Sequence, residues 1–215
     1  MVAVAHALAS ITYALLTAPA MARWCQVENV KSDIYNNYSY AGPWKLDGCT
    51  TLSLDHGYCG EIDCPWRVQF EDEDIIELAD RLHGNSQLTA LSISSNKLTD
   101  ESAVALAEAL RNNQVLSDLN LQGNKITDKG AIALAEVLEH NAYCLSLNLG
   151  HNQLTNEAGQ VLLNVLKSKE SALETLYLDN NNISEDILDE AAEASKAAFR
   201  PPAEHNAALP GKSEL

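Results

Sequence analysis

The sequence is poor in basic residues. Its 215 residues include 14 Lys and Arg against 30 Asp and Glu, which gives a formal net charge of −16 at pH 7. Proteins that bind nucleic acids neutralise phosphates with Lys and Arg, so this balance argues against a nucleic-acid partner. It fits a soluble protein that repels its own copies, or one that meets a basic protein partner. Apolar residues make up 46% of the chain, enough for a packed core.

The common patterns of catalytic and metal-binding residues are also missing. The sequence has no Gly-x-Ser-x-Gly motif, and its six histidines lack the helical spacing of metal ligands. The acidic run Glu71–Asp74 could suggest calcium. We interpret it instead as the start of a helix, where carboxylates offset the positive end of the helix dipole. The sequence therefore predicts a non-enzymatic protein without a cofactor or a bound metal.

Formal charge is absent from the first 22 residues, which are mostly Ala, Leu and Val and are followed by Arg23. We interpret residues 1–22 as a secretory signal peptide, cleaved after Ala20 or Ala22 where small residues flank the site. No Lys or Arg precedes the apolar stretch, which leaves a signal anchor as the alternative. Polar residues within the stretch make it a poor membrane span, so we expect no membrane association after cleavage.

The last four residues, Lys212–Leu215, read KSEL and resemble the Lys-Asp-Glu-Leu retrieval signal, with Ser213 in place of Asp. Together with a signal peptide, this predicts a secreted protein or one kept in the endoplasmic-reticulum lumen. An ordinary polar tail is the alternative interpretation. Pro201 and Pro202 end the preceding helical pattern, so residues 200–215 are predicted to be a disordered tail.

Four segments of the chain share the pattern Leu-x-x-Leu-x-Leu-x-x-Asn-x-Leu or Ile, with Ile93 in place of the third Leu in the first segment and Cys144 in place of the first Leu in the third. They run from Leu88 to Leu98, Leu116 to Ile126, Cys144 to Leu154 and Leu173 to Ile183. Their asparagines, Asn96, Asn124, Asn152 and Asn181, follow one another at intervals of 28, 28 and 29 residues. A fixed period of this length indicates a repeat architecture.

These four units resemble the leucine-rich repeat, and their length and Ala-rich helices are similar to the ribonuclease-inhibitor type. The likeness covers about residues 71–195 and implies an α/β solenoid, with a short curved parallel sheet inside and helices outside. Within a unit, Leu119 and Leu121 alternate on a strand and point into the core. Ile132, Leu134 and Leu138 then follow on one helix face, after the helix N-cap sequence Thr127-Asp128.

The repeated asparagine lies where the chain leaves the strand and backbone groups lose their ladder partners. Its amide can both donate to and accept from that bare backbone. We therefore expect Asn96, Asn124, Asn152 and Asn181 to form an internal structural ladder rather than a binding site.

Both ends of a solenoid need caps, since each coil buries its apolar face only against the next. The segment Cys49-x-x-Leu52-x-Leu54 matches a repeat strand, displaced by an insertion from a matching helix at Glu71–Leu82. At the other end, Glu185–Ala198 is helical but short of large apolar residues. We divide the chain into the signal peptide, a Cys-rich N-terminal cap at 23–70, a repeat domain at 71–199 and the tail.

Four cysteines cluster before the repeats: Cys25, Cys49, Cys59 and Cys64. In a secreted chain they suggest two disulfides, for which three connectivities are open. Proximity favours Cys25–Cys49 with Cys59–Cys64. A zinc site from His56, Cys59 and Cys64 is the alternative. Cys144 is predicted to be a buried free thiol that fills the core.

Two N-glycosylation sequons start at Asn37 and Asn182. The first lies in a polar, Tyr-rich stretch, whereas the second adjoins the predicted ladder residue Asn181. Such sequons arise often by chance, so they support the secretory interpretation only slightly.

The outward positions of the strands form the best candidate for a binding surface, because strand side chains alternate between faces. The candidate binding residues are Asp118, Asn120, Gln122, Asn148, His151, Thr175, Tyr177 and Asp179. Tyr177 is the aromatic anchor of this set, and Tyr is favoured at binding hot spots.

The sequence thus favours a non-enzymatic protein-binding module that works through its concave sheet. One alternative is a small metal-binding or enzymatic protein that uses the Cys-rich segment. Another is a regulatory repeat protein of the GTPase-activating kind, against which the secretory signals and the lack of a matching motif count.

Overall fold

The computed structural model describes residues 30–32, 38–40, 46, 48–55 and 69–198. Two short strands, β1 (Val30–Ser32) and β2 (Tyr38–Tyr40), pair antiparallel, with Val30 opposite Tyr40. The signal peptide at 1–22 and the tail at 200–215 lie outside the described residues. Within the described part of the chain, no helix is both long enough and apolar enough to cross a bilayer.

Five three-residue strands form one parallel sheet in chain order. They are β3 (Thr51–Ser53), β4 (Ala90–Ser92), β5 (Asp118–Asn120), β6 (Ser146–Asn148) and β7 (Thr175–Tyr177). Five helices alternate with them: α1 (Asp72–Leu82), α2 (Asp100–Asn112), α3 (Asp128–Leu138), α4 (Asn156–Lys167) and α5 (Glu185–Ala198). The predicted α/β solenoid, with the sheet inside and the helices outside, is confirmed.

The register of the sheet aligns one leucine from every strand: Leu52, Leu91, Leu119, Leu147 and Leu176. Each is at most 5% exposed, and together they form the inner wall of the core. The alignment confirms that the segment after Cys49 supplies the first strand of the sheet, displaced from its helix as the sequence predicts.

The helices supply the outer wall of the core. In α3 the buried apolar side chains lie at Ala131, Leu134, Ala135, Val137 and Leu138. Ile132 is only partly buried, so its assignment to the same face as Leu134 and Leu138 is wrong. Residues two apart in an α-helix point about 200° apart around its axis. Ile132 and Leu134 therefore lie on nearly opposite faces of α3.

The acidic run Glu71–Asp74 begins α1, as expected. Glu71 is the N-cap, and its backbone N–H donates to Asp74 Oδ2 at 3.0 Å within a capping box. At the other end of the array, α5 has one buried residue, Ala191. This helix spans the residues expected of the C-terminal cap.

Candidate functional site

The repeated asparagines turn inward. Asn124 is 7% exposed, and its Nδ2 donates to the carbonyls of Ile93 and Leu121 at 3.0 and 2.9 Å. Its Oδ1 accepts the backbone N–H of Leu98 at 3.2 Å. The amide thus joins two successive coils with bonds in both directions. It satisfies backbone groups at the bend where the sheet ladder ends.

The other three repeated asparagines make equivalent bonds. Asn96 joins the first coil to the second, since its Nδ2 donates to Leu54 O and its Oδ1 accepts Phe70 N, both at 2.9 Å. Asn181 Oδ1 accepts Leu154 N at 3.0 Å. Asn96 is buried, whereas Asn152 and Asn181 are half-buried near the C-terminal end of the array. The four amides bond to backbone and are not available to a partner.

A second set of buried asparagines, which the sequence reasoning did not identify, follows the helices. Asn113 Nδ2 donates to Leu82 O at 2.9 Å, and Asn141 Nδ2 donates to Leu110 O at 2.8 Å. Each amide therefore gives a hydrogen-bond partner to a backbone carbonyl near the C-terminal end of the helix in the preceding coil. The 28-residue interval between Asn113 and Asn141 could have identified this second set from the sequence.

The position before each ladder asparagine has a left-handed backbone. Ser95, Gly123, His151 and Asn180 have φ values of 59, 70, 54 and 55°. Glycine occupies this position only once among the four units, although the left-handed region favours it. The turn places His151 and Asn180 side by side at the rim of the sheet, with His151 Nε2 3.0 Å from Asn180 Nδ2.

The concave face of the sheet is a grid of fifteen positions in three rows that run across the strands. Row A is Thr51, Ala90, Asp118, Ser146 and Thr175. Row B is Ser53, Ser92, Asn120, Asn148 and Tyr177. Row C, which follows the strand ends, is Asp55, Ser94, Gln122, Gly150 and Asp179. Every predicted binding residue except His151 lies in this grid.

Hydrogen bonds join the polar side chains of rows B and C to one another. Ser92 Oγ donates to Asp55 Oδ1 at 2.6 Å and accepts from Asn120 Nδ2 at 2.9 Å. Further along, Asn148 Nδ2 lies 3.4 Å from Gln122 Oε1. These contacts hold the side chains in one arrangement. Asp55 was missed because the candidate binding positions were taken only from the four complete units and not from the displaced strand that ends near Leu54.

A shallow depression of about 520 Å³ lies on this face. Its walls are mostly from rows A and B, and its charged residues are Asp55 and Asp118. Tyr177 stands at one end and is 50% exposed. It also lines a second groove of about 450 Å³ between β7 and α5, together with Thr175 and Ser195. The structure therefore gathers Asp118, Asn120, Asn148 and Tyr177 at one site.

His151, Asn180 and Asp179 form a small polar cluster at the rim. Asn180 Nδ2 donates to Asp179 Oδ2 at 2.8 Å, and His151 Nε2 lies 3.7 Å from the same oxygen. No group of three or more His, Cys, Asp or Glu suited to a metal ion occurs within the described residues.

Several of the predicted disulfide, zinc and glycosylation residues lie outside the described residues, namely Cys25, Cys59, Cys64, His56 and Asn37. Cys49 is buried and disulfide-bonded, but its partner is not among the described residues, so the pairing stays a prediction. Asn182 is exposed, although its backbone N–H donates to Leu154 O at 2.8 Å. Cys144 is a buried free thiol, as predicted.

Comparison with known protein families identifies the repeats. A family model described as Leucine Rich repeat matches residues 84–107, 112–135 and 140–163, and a second Leucine Rich Repeat model matches residues 172–192. The chain is a leucine-rich repeat protein. The matched segments cover the four units that the asparagine spacing defines.

Solved leucine-rich repeat structures share this fold. The "Leiomodin-1 Actin-Binding Site 2 (ABS2)" structure is 19% identical, with a TM-score of 0.55, and the match covers 69% of this chain and 80% of that one. The tropomodulin C-terminal domain of Caenorhabditis elegans is 16% identical, with a TM-score of 0.52, covering 61% and 82%. At these identities the likeness concerns the fold alone. No curated protein matches this leucine-rich repeat sequence.

Proposed function

We propose that this leucine-rich repeat protein is a non-enzymatic module that binds a partner protein through its concave face. The observation that carries the proposal is Tyr177, half exposed beside a depression in which hydrogen bonds already fix the side chains of Asp55, Ser92 and Asn120. A fixed polar surface with an aromatic anchor loses little side-chain entropy when a partner binds. The similar leiomodin-1 structure is that of an actin-binding site, which supports a protein as the class of partner.

The burial of the repeated asparagines and of the free cysteine indicates that these groups have structural roles rather than catalytic ones. Burial, with a smaller contribution from the charge of Asp118, raises the pKa of the Cys144 thiol to about 12. A thiol with that pKa stays protonated at neutral pH and is a weak nucleophile. A metal-binding or enzymatic role for the Cys-rich segment and a GTPase-activating role remain the competing hypotheses.

The binding proposal is tested by affinity capture with the purified chain. Wild-type protein and Tyr177→Ala are immobilised at equal density, and bound proteins are identified by mass spectrometry. The matched control is Ile76→Ala, which truncates the other large apolar side chain that is exposed within the described residues, on α1 at 38% exposure. We expect a partner that Tyr177→Ala loses and Ile76→Ala keeps. Equal capture by all three proteins would exclude the concave face.

We also propose that the protein acts in the secretory pathway, either secreted or retained in the endoplasmic-reticulum lumen. The apolar segment 1–22, the KSEL ending at Lys212–Leu215 and the disulfide at Cys49 support this location, because disulfides persist in oxidising compartments. We retain the boundaries 23–70 for the cap and 71–199 for the repeat domain as part of this proposal.

Two measurements test the location. Sequencing the N-terminus of the mature protein should give a start after Ala20 or Ala22, and a product that begins at Met1 would contradict signal cleavage. Deleting Lys212–Leu215 should increase secretion into the medium. Unchanged secretion would remove the retrieval signal from the proposal while leaving lumenal entry intact.

A further inference from the structure

The charge of the concave face has one sign. Among its fifteen positions, three residues are charged, namely Asp55, Asp118 and Asp179, and none is Lys or Arg. Lys97 and Lys125 lie in the loops beyond row C and do not line the depression. The local sign agrees with the net charge of −16 for the whole chain. Electrostatic attraction at this face therefore favours a cationic partner, whereas repulsion between like charges disfavours binding of a second copy of this chain.

The three carboxylates differ in the number of hydrogen bonds that they already accept. Asp55 accepts hydrogen bonds from the Ser53 and Ser92 hydroxyls and from the Ser94 backbone N–H. Asp118 is exposed and accepts from Ser117 Oγ at 2.5 Å. A carboxylate offers about four lone-pair positions, so Asp118 keeps capacity for a cationic donor. It also lines the depression, which makes it the principal charged group of the site.

The dimensions of the grid fit an extended peptide. Five strands about 4.8 Å apart span about 19 Å along row B, which corresponds to about six residues of extended chain. Asp118 lies on one side of row B, and Asp55 and Asp179 lie on the other. Side chains that alternate along an extended segment can therefore reach both sides.

We propose that this face binds an extended basic segment of a partner protein, laid along row B with Lys or Arg at Asp118 and at Asp55 or Asp179. Tyr177 closes one end of the row, where its ring can stack with an arginine side chain. This inference rests on the proposed function and names the partner chemistry of that site.

The experiment uses a fluorescein-labelled peptide of two Gly-Arg-Arg repeats, which places arginines on both sides of an extended chain, and the full-length protein. The matched peptide carries citrulline in place of arginine, which keeps the side-chain shape and removes the charge. By fluorescence anisotropy, we expect the arginine peptide to bind at least about tenfold more tightly than the citrulline peptide. Its affinity should fall as NaCl rises from about 50 to 300 mM, since salt screens exposed charges.

Two variants separate site recognition from general attraction to an acidic protein. Asp118→Asn should weaken binding of the arginine peptide about threefold or more, whereas Asp80→Asn on α1, an exposed position outside the grid, should change it less than twofold. Circular dichroism checks that both variants fold. Equal weakening by the two variants, or equal binding of the two peptides, would overturn the inference.

The captured partner distinguishes this inference from the proposed function. A partner that requires Tyr177 but binds Asp118→Asn as tightly as wild type would keep the binding role of the face and overturn its basic specificity. Loss with Asp118→Asn and retention with Asp80→Asn would support both. A partner indifferent to Tyr177→Ala and Asp118→Asn would contradict both.

Discussion

At the scale of single residues, the structure separates asparagines that hold the coils together from those that face a partner. Asn124 and Asn120 are four residues apart, yet the first bonds to backbone inside the bend and the second bonds to Ser92 on the open face. The interval of 28 residues was enough to predict the role of Asn124. The members of row B follow from strand alternation, but their hydrogen bonds depend on contacts between strands and could not be predicted.

The first prediction concerns Asn124. We expect Asn124→Ala to lower the free energy of unfolding by about 2–4 kcal/mol, because the buried carbonyls of Ile93 and Leu121 and the N–H of Leu98 lose their partner. Urea denaturation followed by circular dichroism measures the change. The control Asn112→Ala removes an exposed helical amide and should cost less than about 0.5 kcal/mol. Equal costs would show that the ladder does not stabilise the fold.

The second prediction concerns the Cys144 thiol, which is fully buried. Because its pKa is raised to about 12, we expect almost no alkylation by iodoacetamide at pH 8 in the folded protein and rapid alkylation in urea. The folded state disfavours the thiolate, so this group costs stability as pH rises from about 9 towards 12. Mass spectrometry of the Cys144 peptide gives the extent of reaction. Fast labelling of the folded protein would contradict its burial.

At the scale of helices, the carboxylates at the first position of α1, α2 and α3 tie each of these helices to the next coil. Asp100 accepts Thr127 N at 2.8 Å and Thr127 Oγ1 at 2.7 Å, and Asp128 bonds to Thr155 in the same way. Thr127 is the helix N-cap that the sequence predicts, but its hydroxyl donates to Asp100 rather than capping its own helix. Sequence patterns within one coil cannot show this, since the partner lies 27 residues away.

Asp72 carries the third prediction. Burial acts to raise its pKa, but hydrogen bonds from Ser102 and Thr99 outweigh burial and lower the pKa below the usual 3.8. We expect Asp72→Ala to destabilise the fold by about 1–3 kcal/mol at pH 7. A depressed pKa stabilises the folded state above pH 3.8, and this contribution is lost as pH falls through the lower folded value. The difference between wild type and variant should therefore shrink below pH 4.

Urea titrations at pH 7 and pH 3 measure that difference. The control is Glu73→Ala, which removes an exposed carboxylate at the next position of α1 and should have a small effect at both pH values. A gap between wild type and Asp72→Ala that is as large at pH 3 as at pH 7 would show that packing, and not the ionised carboxylate, is responsible.

At the scale of the whole molecule, the sequence predicted the number of coils, the displaced first strand and the closing helix, because each depends on a repeated local pattern. The concave depression was predicted only in part. Asp118, Asn120, Asn148 and Tyr177 were identified, whereas Asp55 and Ser53 were not, since they join the grid through the pairing of β3 with β4. The displaced strand itself was predicted, but the insertion after it puts its residues almost forty positions from their partners on β4, outside the 28-residue interval that located the other grid positions.

The fourth prediction follows from the nearly equal length of the coils and their shared pattern of leucines and asparagine. Deleting residues 124–151 joins Gly123 to Asn152 and removes one whole coil, while the next asparagine takes the place of Asn124 and Thr155 can reach Asp100. Because each coil contacts only its neighbours, we expect a folded protein with a four-stranded sheet, reduced stability and a smaller urea m-value. Deleting residues 124–137 instead removes half a coil, joins a strand bend to the last residue of α3, leaves β5 and β6 without a helix between them and should prevent folding. Circular dichroism and urea denaturation compare the two. If both deletions unfolded alike, the coils would depend on more than their neighbours, and stability would have to be described for the array as one indivisible unit.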